Sequence, residues 1–294
     1  MTVAPQRLVY LGTPAMAVPP LEALVAAGFD VCAVVTRADA RRGRGSEMTP
    51  SPVKAAAERL GLSVVHRVDD VLDVGAELGV VVAFGQLVRP HALAALPMVN
   101  LHFSLLPRWR GAAPVERALL AGDSVTGVCL MQLDEGLDTG PIHARVEVPI
   151  ADNATGESLR TDLVAVGTSL LVSHLRAGLG QPVPQDGEPT YAAKITPADL
   201  RLDWSASATD RDRVIRLGGA WTTFRGKRFK VVRAEVVDAV ATGDEITVGA
   251  GAGAGDGVAG GLRLLVVQPE GKAPMAWHDF ANGARPANGE RLGG

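Results

Sequence analysis

The chain of 294 residues is longer than one ordinary small domain and too short for three, so two domains are expected. A composition of 47% hydrophobic and 21% charged residues excludes a disordered or fibrous chain. A formal charge of -3 excludes a global field that would attract a polyanion, so any such partner needs a local basic patch.

The longest uncharged apolar run, residues 78–88, spans about half a bilayer by helix rise, and no membrane segment is expected. Residues 1–12 lack the basic start, long apolar stretch and small-residue cleavage site of a secretory signal, so a cytoplasmic location is expected. Cys32 and Cys129 each sit inside a β-branched apolar run, the place of a small hydrophobe in a buried strand rather than of a disulfide or metal ligand.

In chain order, residues 7–12, 31–36, 64–66 and 80–84 are short apolar runs, with helical periodicity between the first three. Val18, Leu21, Leu24 and Val25 recur at helical spacing before Gly28, and Pro50 and Pro52 open a second helix near Val53. This alternation predicts a doubly wound α/β fold with a parallel sheet. A strand ending near His102, a helix over 114–120, strands over 125–133 and 142–148, and a helix over 156–175 complete the first domain. Its expected extent is residues 1–186. Pro182, Pro184, Gly187 and Pro189 mark a connector, assigned to residues 187–205. Over 206–294, a helix at 212–217 precedes apolar runs at 229–237, 245–248 and 262–267 separated by Gly-rich turns, which predicts a small β-barrel domain. Residues 249–257 alternate Gly with Ala and Asp but open no helix, so a hairpin loop is expected there rather than a phosphate loop.

Asn100 and His102 alternate on one strand, which puts both side chains on one face, at the end of a strand where open α/β sheets hold their ligands. Asp138 lies in a Gly-rich turn between two apolar strands, from which a carboxylate can reach an imidazole. Acyl transfer to an amine needs donors for a developing oxyanion and an acceptor for the amine proton. An amide, an imidazolium and a carboxylate supply both without a covalent nucleophile. Alone, the same residues also suit a polar strand end satisfied by backbone groups. From Ser205 onward there are 12 basic and 10 acidic residues, and eight of the basic ones lie between Arg211 and Arg233 with Asp212 as the only acid among them. That cluster suits a phosphate backbone and equally a solvated face. His66, His91, His143, His174 and His278 form no ligand-spaced pair, and no metal is expected. Gly12-Thr13-Pro14 lacks the three glycines of a dinucleotide fingerprint.

Asn100-Leu101-His102 continues as Ser104-Leu105-Leu106-Pro107-Arg108-Trp109-Arg110-Gly111-Ala112-Ala113-Pro114, and Gly136-Leu137-Asp138-Thr139-Gly140 follows. Together with Gly43-Arg44-Gly45, Pro50-Ser51-Pro52 and Gln268-Pro269-Glu270-Gly271-Lys272, these runs resemble the 10-formyltetrahydrofolate-dependent formyltransferases over nearly the whole chain, most closely the branch that acts on methionyl-tRNA. The resemblance implies a Rossmann-like formyltransferase domain followed by an OB-like barrel, and Asn100, His102 and Asp138 as the catalytic trio. It further implies 10-formyltetrahydrofolate as formyl donor, contacted by Ser104, Leu105, Leu106 and Pro107 and by the stretch Phe84, Gly85, Gln86 and Leu87. Initiator methionyl-tRNA is the implied acceptor, met by Arg41, Arg42 and Arg44 of a long loop and by the barrel residues Arg225, Lys227, Arg228 and Lys230. No obligate protein partner is marked. Ser46 and Glu47 stand where lysines are frequent in that family, and Gly218-Gly219-Ala220-Trp221 is a trimmed junction. Formylation of a small amine would need the trio without the basic barrel. A non-catalytic tRNA-binding module would predict a damaged trio.

Overall fold

The structure, a computed structural model, describes residues 4–41, 48–237, 245–248, 257–259, 261–287 and 289–293. The chain forms two compact units. The first comprises residues up to Val115, Ser124–Ile150 and Leu159–Ala193, and the second Glu116–Asp123, Ala151–Ser158 and the chain from Lys194 onward.

The first unit is built on seven strands: β1 (Arg7–Gly12), β2 (Asp30–Val35), β3 (Val64–Val65), β4 (Leu78–Val82), β5 (Met98–His102), β6 (Val125–Gln132) and β7 (Ile142–Pro149). Their order across the sheet is β3-β2-β1-β4-β5-β6-β7. The first five are parallel, β6 runs antiparallel to β5, and β7 runs antiparallel to β6. Strand order reverses at β1, so the crevice beyond the carboxyl ends of β1 and β4 is a topological switch point. Every residue of β4 is buried, as a central parallel strand covered on both faces requires.

Helices α1 (Val18–Ala26), α2 (Pro52–Arg59), α3 (Pro90–Ala95) and the part of α5 (Gly156–Ala177) from Leu159 onward cover this sheet, the label α4 being kept for Pro114–Ala121. Ser51 caps α2, its hydroxyl accepting from the Lys54 N–H at 2.9 Å, and Pro52 occupies the first turn, where no donor is missed. On one face, Val9, Leu11, Ala33, Val35, Val81 and Met98 pack with Phe84, Val88, Ala92 and Leu96. On the other, α5 approaches so closely that a Cβ on Gly167 would lie 3.1 Å from Val128 and 3.2 Å from Leu101. Strand alternation thus commits Leu101 to the α5 side and leaves Asn100 and His102 on the face of Met98.

The fourth apolar run ends sooner than expected, at Val82 rather than residue 84, because Ala83 adopts φ +46 and turns the chain out of the sheet. Cys32 and Cys129 are both free, and Cys129 lies wholly inside the sheet, where burial pushes its thiol up to about 11. Among the described residues, no helix is long and apolar enough to cross a membrane.

In the second unit, α6 (Ala208–Leu217) is capped by Ser207, whose hydroxyl accepts from the Asp210 N–H at 3.1 Å. Then follow β8 (Trp221–Phe224), β9 (Lys227–Val236), β10 (Glu245–Val248), β11 (Gly257–Ala259), β12 (Leu262–Pro269), β13 (Met275–Ala276), α7 (Trp277–Ala284) and β14 (Glu290–Arg291). The antiparallel order β8-β9-β12-β11-β10-β14 closes on itself where Leu292 bridges back to Phe224, so the described strands form a closed barrel. Phe224, Phe229, Phe280 and Trp277 fill it, with Phe229 and Phe280 4.9 Å apart. The predicted hairpin loop over 249–257 lies outside the described residues except for Gly257, the first residue of β11.

Candidate active site

β5 carries Asn100 and His102 out from beneath the helical cover of the Met98 face, and the connection from β6 to β7 doubles back along β5 to meet them. Glycine permits that return. A Cβ on Gly140 would sit 1.9 Å from the Gln132 carbonyl oxygen, and one on Gly136 1.9 Å from the Thr139 hydroxyl. Within the loop, Asp134 accepts from the Gly136 N–H at 3.1 Å and the Thr139 hydroxyl at 2.8 Å, a turn that presents Asp138 at its base.

Asp138 stands at φ +52, left-handed backbone that costs a non-glycine residue about 1–2 kcal/mol, although Asp tolerates it better than most. Its Oδ2 accepts from the Gly111 N–H at 2.7 Å. Oδ1 lies 3.5 Å from Nδ2 of Asn100, and Oδ2 3.7 Å from Nδ1 of His102. Both distances are long for hydrogen bonds, so amide and imidazole face the carboxylate without being bound tightly to it. The other ring nitrogen of His102, Nε2, donates to the Trp109 carbonyl at 2.9 Å. Trp109 also has a left-handed backbone, φ +64, which turns that carbonyl toward the ring.

His102 is 5% exposed. Burial pushes its pKa below the ordinary histidine value, while the Asp138 carboxylate and the Trp109 carbonyl pull it partly back. The resting ring is therefore inclined to the neutral form, with Nε2 as its donor and Nδ1 open toward Asp138. Added negative charge nearby would favour protonation of Nδ1.

The expected folate-contacting residues divide by exposure. Ser104 is fully buried, its hydroxyl donating to the Arg108 carbonyl at 2.6 Å, and Leu106 packs with Cys129 and Met131. Neither side chain is presented to a ligand. Leu105 and Pro107 stay partly open. Phe84 is core, and the Thr13 hydroxyl donates to its carbonyl at 3.1 Å, whereas Gly85, Gln86 and Leu87 are exposed, Leu87 to 83%. The open residues of the two stretches, Gly85, Gln86, Leu87, Leu105 and Pro107, carry no charge themselves, which suits a flat heterocycle read through main-chain groups.

Of the expected tRNA contacts, Arg41 is exposed on a two-residue strand, Ala40–Arg41, that pairs with Met48–Thr49. Arg42 and Arg44 lie outside the described residues, as do Ser46 and Glu47. Arg225 makes bonds of 2.6 and 2.9 Å with Glu290 and a third with the Ala284 carbonyl, contacts that tie β14 to the β8–β9 turn. Lys227, Arg228 and Lys230 project from β9. Arg228 stacks 4.5 Å over Trp221, which Arg201 also approaches at 5.6 Å. Sequence reasoning missed Arg201 and Trp221, because a bridge between two separate segments has no signature in either. It also missed Gln185, which donates to the carbonyls of Asp138 and Gly140 at 2.8 and 2.9 Å. No group of three or more metal-ligating side chains is found among the described residues.

Two family models match the chain: formyl transferase over residues 6–175 and the formyl transferase C-terminal domain over 194–285. Methionyl-tRNA formyltransferase of Roseobacter denitrificans is 43% identical over 96% of this chain and 97% of its own length, and that of Clavibacter sepedonicus is 44% identical over 94% and 97%. The chain belongs to the methionyl-tRNA formyltransferase family. In fold, this formyltransferase is similar to an N-formyltransferase from Helicobacter canadensis, crystallised with folinic acid and dTDP-3-aminofucose, at a TM-score of 0.66 and 17% identity over 90% of this chain and 99% of that one. It is also similar to a glycinamide ribonucleotide transformylase from Symbiobacterium toebii, at a TM-score of 0.52 and 23% identity, over 60% of the formyltransferase and 88% of that enzyme.

Proposed function

We propose that the protein transfers the formyl group of 10-formyltetrahydrofolate to the amino group of initiator methionyl-tRNA, giving N-formylmethionyl-tRNA and tetrahydrofolate for translation initiation. The observation that carries this reading is the convergence of Asn100, His102 and Asp138 in a chain whose full-length relatives are named methionyl-tRNA formyltransferases. We infer a cytoplasmic location from the same reading, because the formylated product serves translation initiation.

Asn100 donates its amide N–H to the formyl oxygen as negative charge builds there during attack by the amine. Asp138 accepts the proton that the amine nitrogen loses on forming its bond to the formyl carbon. His102 gains its charge in the same step by taking that proton from Asp138 onto Nδ1, which lies 3.7 Å from Oδ2. Burial disfavours the imidazolium at rest, and the negative charge developing beside it offsets that cost, so its Nδ1–H stabilises the transition state more than the ground state. The bond from the formyl carbon to the donor nitrogen then breaks, and that nitrogen leaves with the same proton, returned from His102 through Asp138, so that both groups regain their resting states.

The exposed stretch Gly85-Gln86-Leu87, with Leu105 and Pro107, receives the donor, while Ser104, Leu106 and Phe84 support it from the core. In the barrel domain, Lys227, Arg228 and Lys230 meet the tRNA backbone, joined by Arg201 through its contact with Trp221. Arg225 serves closure of the barrel. Arg41, Arg42 and Arg44 contact the acceptor end. Incubation with labelled 10-formyltetrahydrofolate, charged initiator tRNA and a competing dTDP-amino sugar tests the reading. Label is expected in the aminoacyl-tRNA, and label in the sugar alone would refute it.

A further inference from the structure

Gln185 lies in a Pro- and Gly-rich stretch with the composition of a connector, yet all four hydrogen bonds of its side chain go to the loops around Asp138. Its Nε2 donates to the carbonyls of Asp138 and Gly140 at 2.8 and 2.9 Å. Its Oε1 accepts from Nε and Nη2 of Arg110 at 3.1 and 2.6 Å. Arg110 precedes Gly111, whose N–H holds Oδ2 of Asp138 at 2.7 Å. The contacts close a ring. From the 110–111 backbone, one arm grips the Asp138 carboxylate, and the other runs through the Arg110 side chain and the Gln185 amide to the Asp138 carbonyl.

The amide orientation follows from its partners. Two donors meet two carbonyls, and one oxygen meets two guanidinium N–H groups; the flipped amide would set donors against donors and oxygen against oxygens. The main chain brings Gln185 to this place, since Val183 bridges Ile142, the Thr190 N–H donates to the Pro107 carbonyl at 3.2 Å, and the Arg110 N–H donates to the Thr190 carbonyl at 2.8 Å. Residues 183–190 are thus laid across both loops. A left-handed Asp138 persists only where its surroundings hold it, and this ring secures both ends of the residue.

We infer that Gln185, oriented by Arg110, is a positioning residue for formyl transfer, fixing the Asp138 backbone so that its carboxylate stays within reach of Asn100 and His102. The inference rests on the formyltransferase reading above. Removing Gln185 lets Asp138 relax from its left-handed geometry, and the loss falls on turnover rather than on binding, because the hydrogen bonds of the Gln185 side chain go to Asp138, Gly140 and Arg110 rather than to the exposed 85–87 stretch.

The test is steady-state formylation of charged initiator tRNA by the full-length wild type, Gln185→Ala, Gln185→Glu, Asp138→Asn and the Gln185→Ala/Asp138→Asn double variant, with melting curves for each. Gln185→Ala is expected to lower kcat by about 10- to 100-fold, the usual effect of losing a partner that orients a reacting group. KM for both substrates should stay within about threefold. In the Asp138→Asn background the same substitution should add less than about twofold, since Gln185 acts only through that carboxylate. Gln185→Glu keeps length and the Arg110 contact but sets a carboxylate oxygen against two carbonyls, so it should lose kcat at least as severely while remaining folded. It carries the test if the alanine variant does not fold. An active wild type with Gln185→Ala within about twofold of it, or a loss of equal size with Asp138 already neutralised, would overturn the inference. A folded wild type without any formyl transfer overturns the underlying reading, and the inference with it.

Discussion

Three of the five non-glycine residues with left-handed backbone among the described residues, Ala83, Trp109 and Asp138, stand in the loops around the site. Each redirects a group that the proposed chemistry uses: Ala83 ends β4 and opens the 84–88 stretch, Trp109 turns a carbonyl onto His102, and Asp138 brings its carboxylate to β5. Strain of this kind persists only where neighbours over-determine it. The titration of His102 follows from the same enclosure. Its folded pKa lies below the unfolded value near 6.5, so its contribution to stability is full above that value and is lost as pH falls toward the folded pKa. Asp199 acts in the same sense further down, since hydrogen bonds from Arg117 and Thr196 hold it at about 2. Urea unfolding of wild type and His102→Asn between about pH 7 and 5 should therefore show a shallower loss of stability in the variant. Equal slopes would contradict the assignment of a neutral buried ring. The trio could be located from residue types and from the motif around them. The commitment of Nε2 to Trp109 could not, because it depends on a backbone angle that the sequence does not display.

At the scale of elements, strand alternation decides the site. Met98, Asn100 and His102 share one face of β5 and Leu101 faces α5, an arrangement legible in the sequence because period-two alternation is local. The position of Asp138 was legible only as a Gly-rich turn. That the turn doubles back along β5 depends on how closely the chain approaches itself at Gly140. A methyl there would lie 1.9 Å from a backbone oxygen, which no side-chain rotation relieves. Gly140→Ala should force the neck of the loop open and displace Asp138, lowering turnover by about 10- to 100-fold, as misplacement of a reacting group by about 1 Å does. Near-normal kcat in that variant would show that Asp138 is held elsewhere. The connector was less legible. Its Pro and Gly content correctly marks an irregular chain, but Gln185, Thr190 and Ala192 hydrogen-bond to residues 45 to 83 positions away, and composition carries no trace of such pairings.

For the whole molecule, a doubly wound unit and a closed barrel occur in one chain whose net charge is only -3, and eight of its 29 basic residues cluster between Arg211 and Arg233. The alternation of strand and helix and the later run of Gly-separated strands made both architectures legible. The use of the basic residues was not: Arg225 is bound to Glu290, and Arg228 and Arg201 meet on Trp221, because charge counting cannot tell a barrel clasp from an open guanidinium. In the proposed function, the Asn100, His102 and Asp138 constellation transfers formyl to the tRNA amine, with Asp138 managing the proton rather than holding the donor. Single-turnover transfer of labelled formyl to charged initiator tRNA, by wild type and Asp138→Asn with donor binding measured on the same samples, tests it most directly. Rapid transfer is expected of the wild type, and in the variant a loss of about 100-fold or more with donor affinity nearly unchanged. Transfer by Asp138→Asn at the wild-type rate, or a loss explained wholly by weaker donor binding, would contradict it.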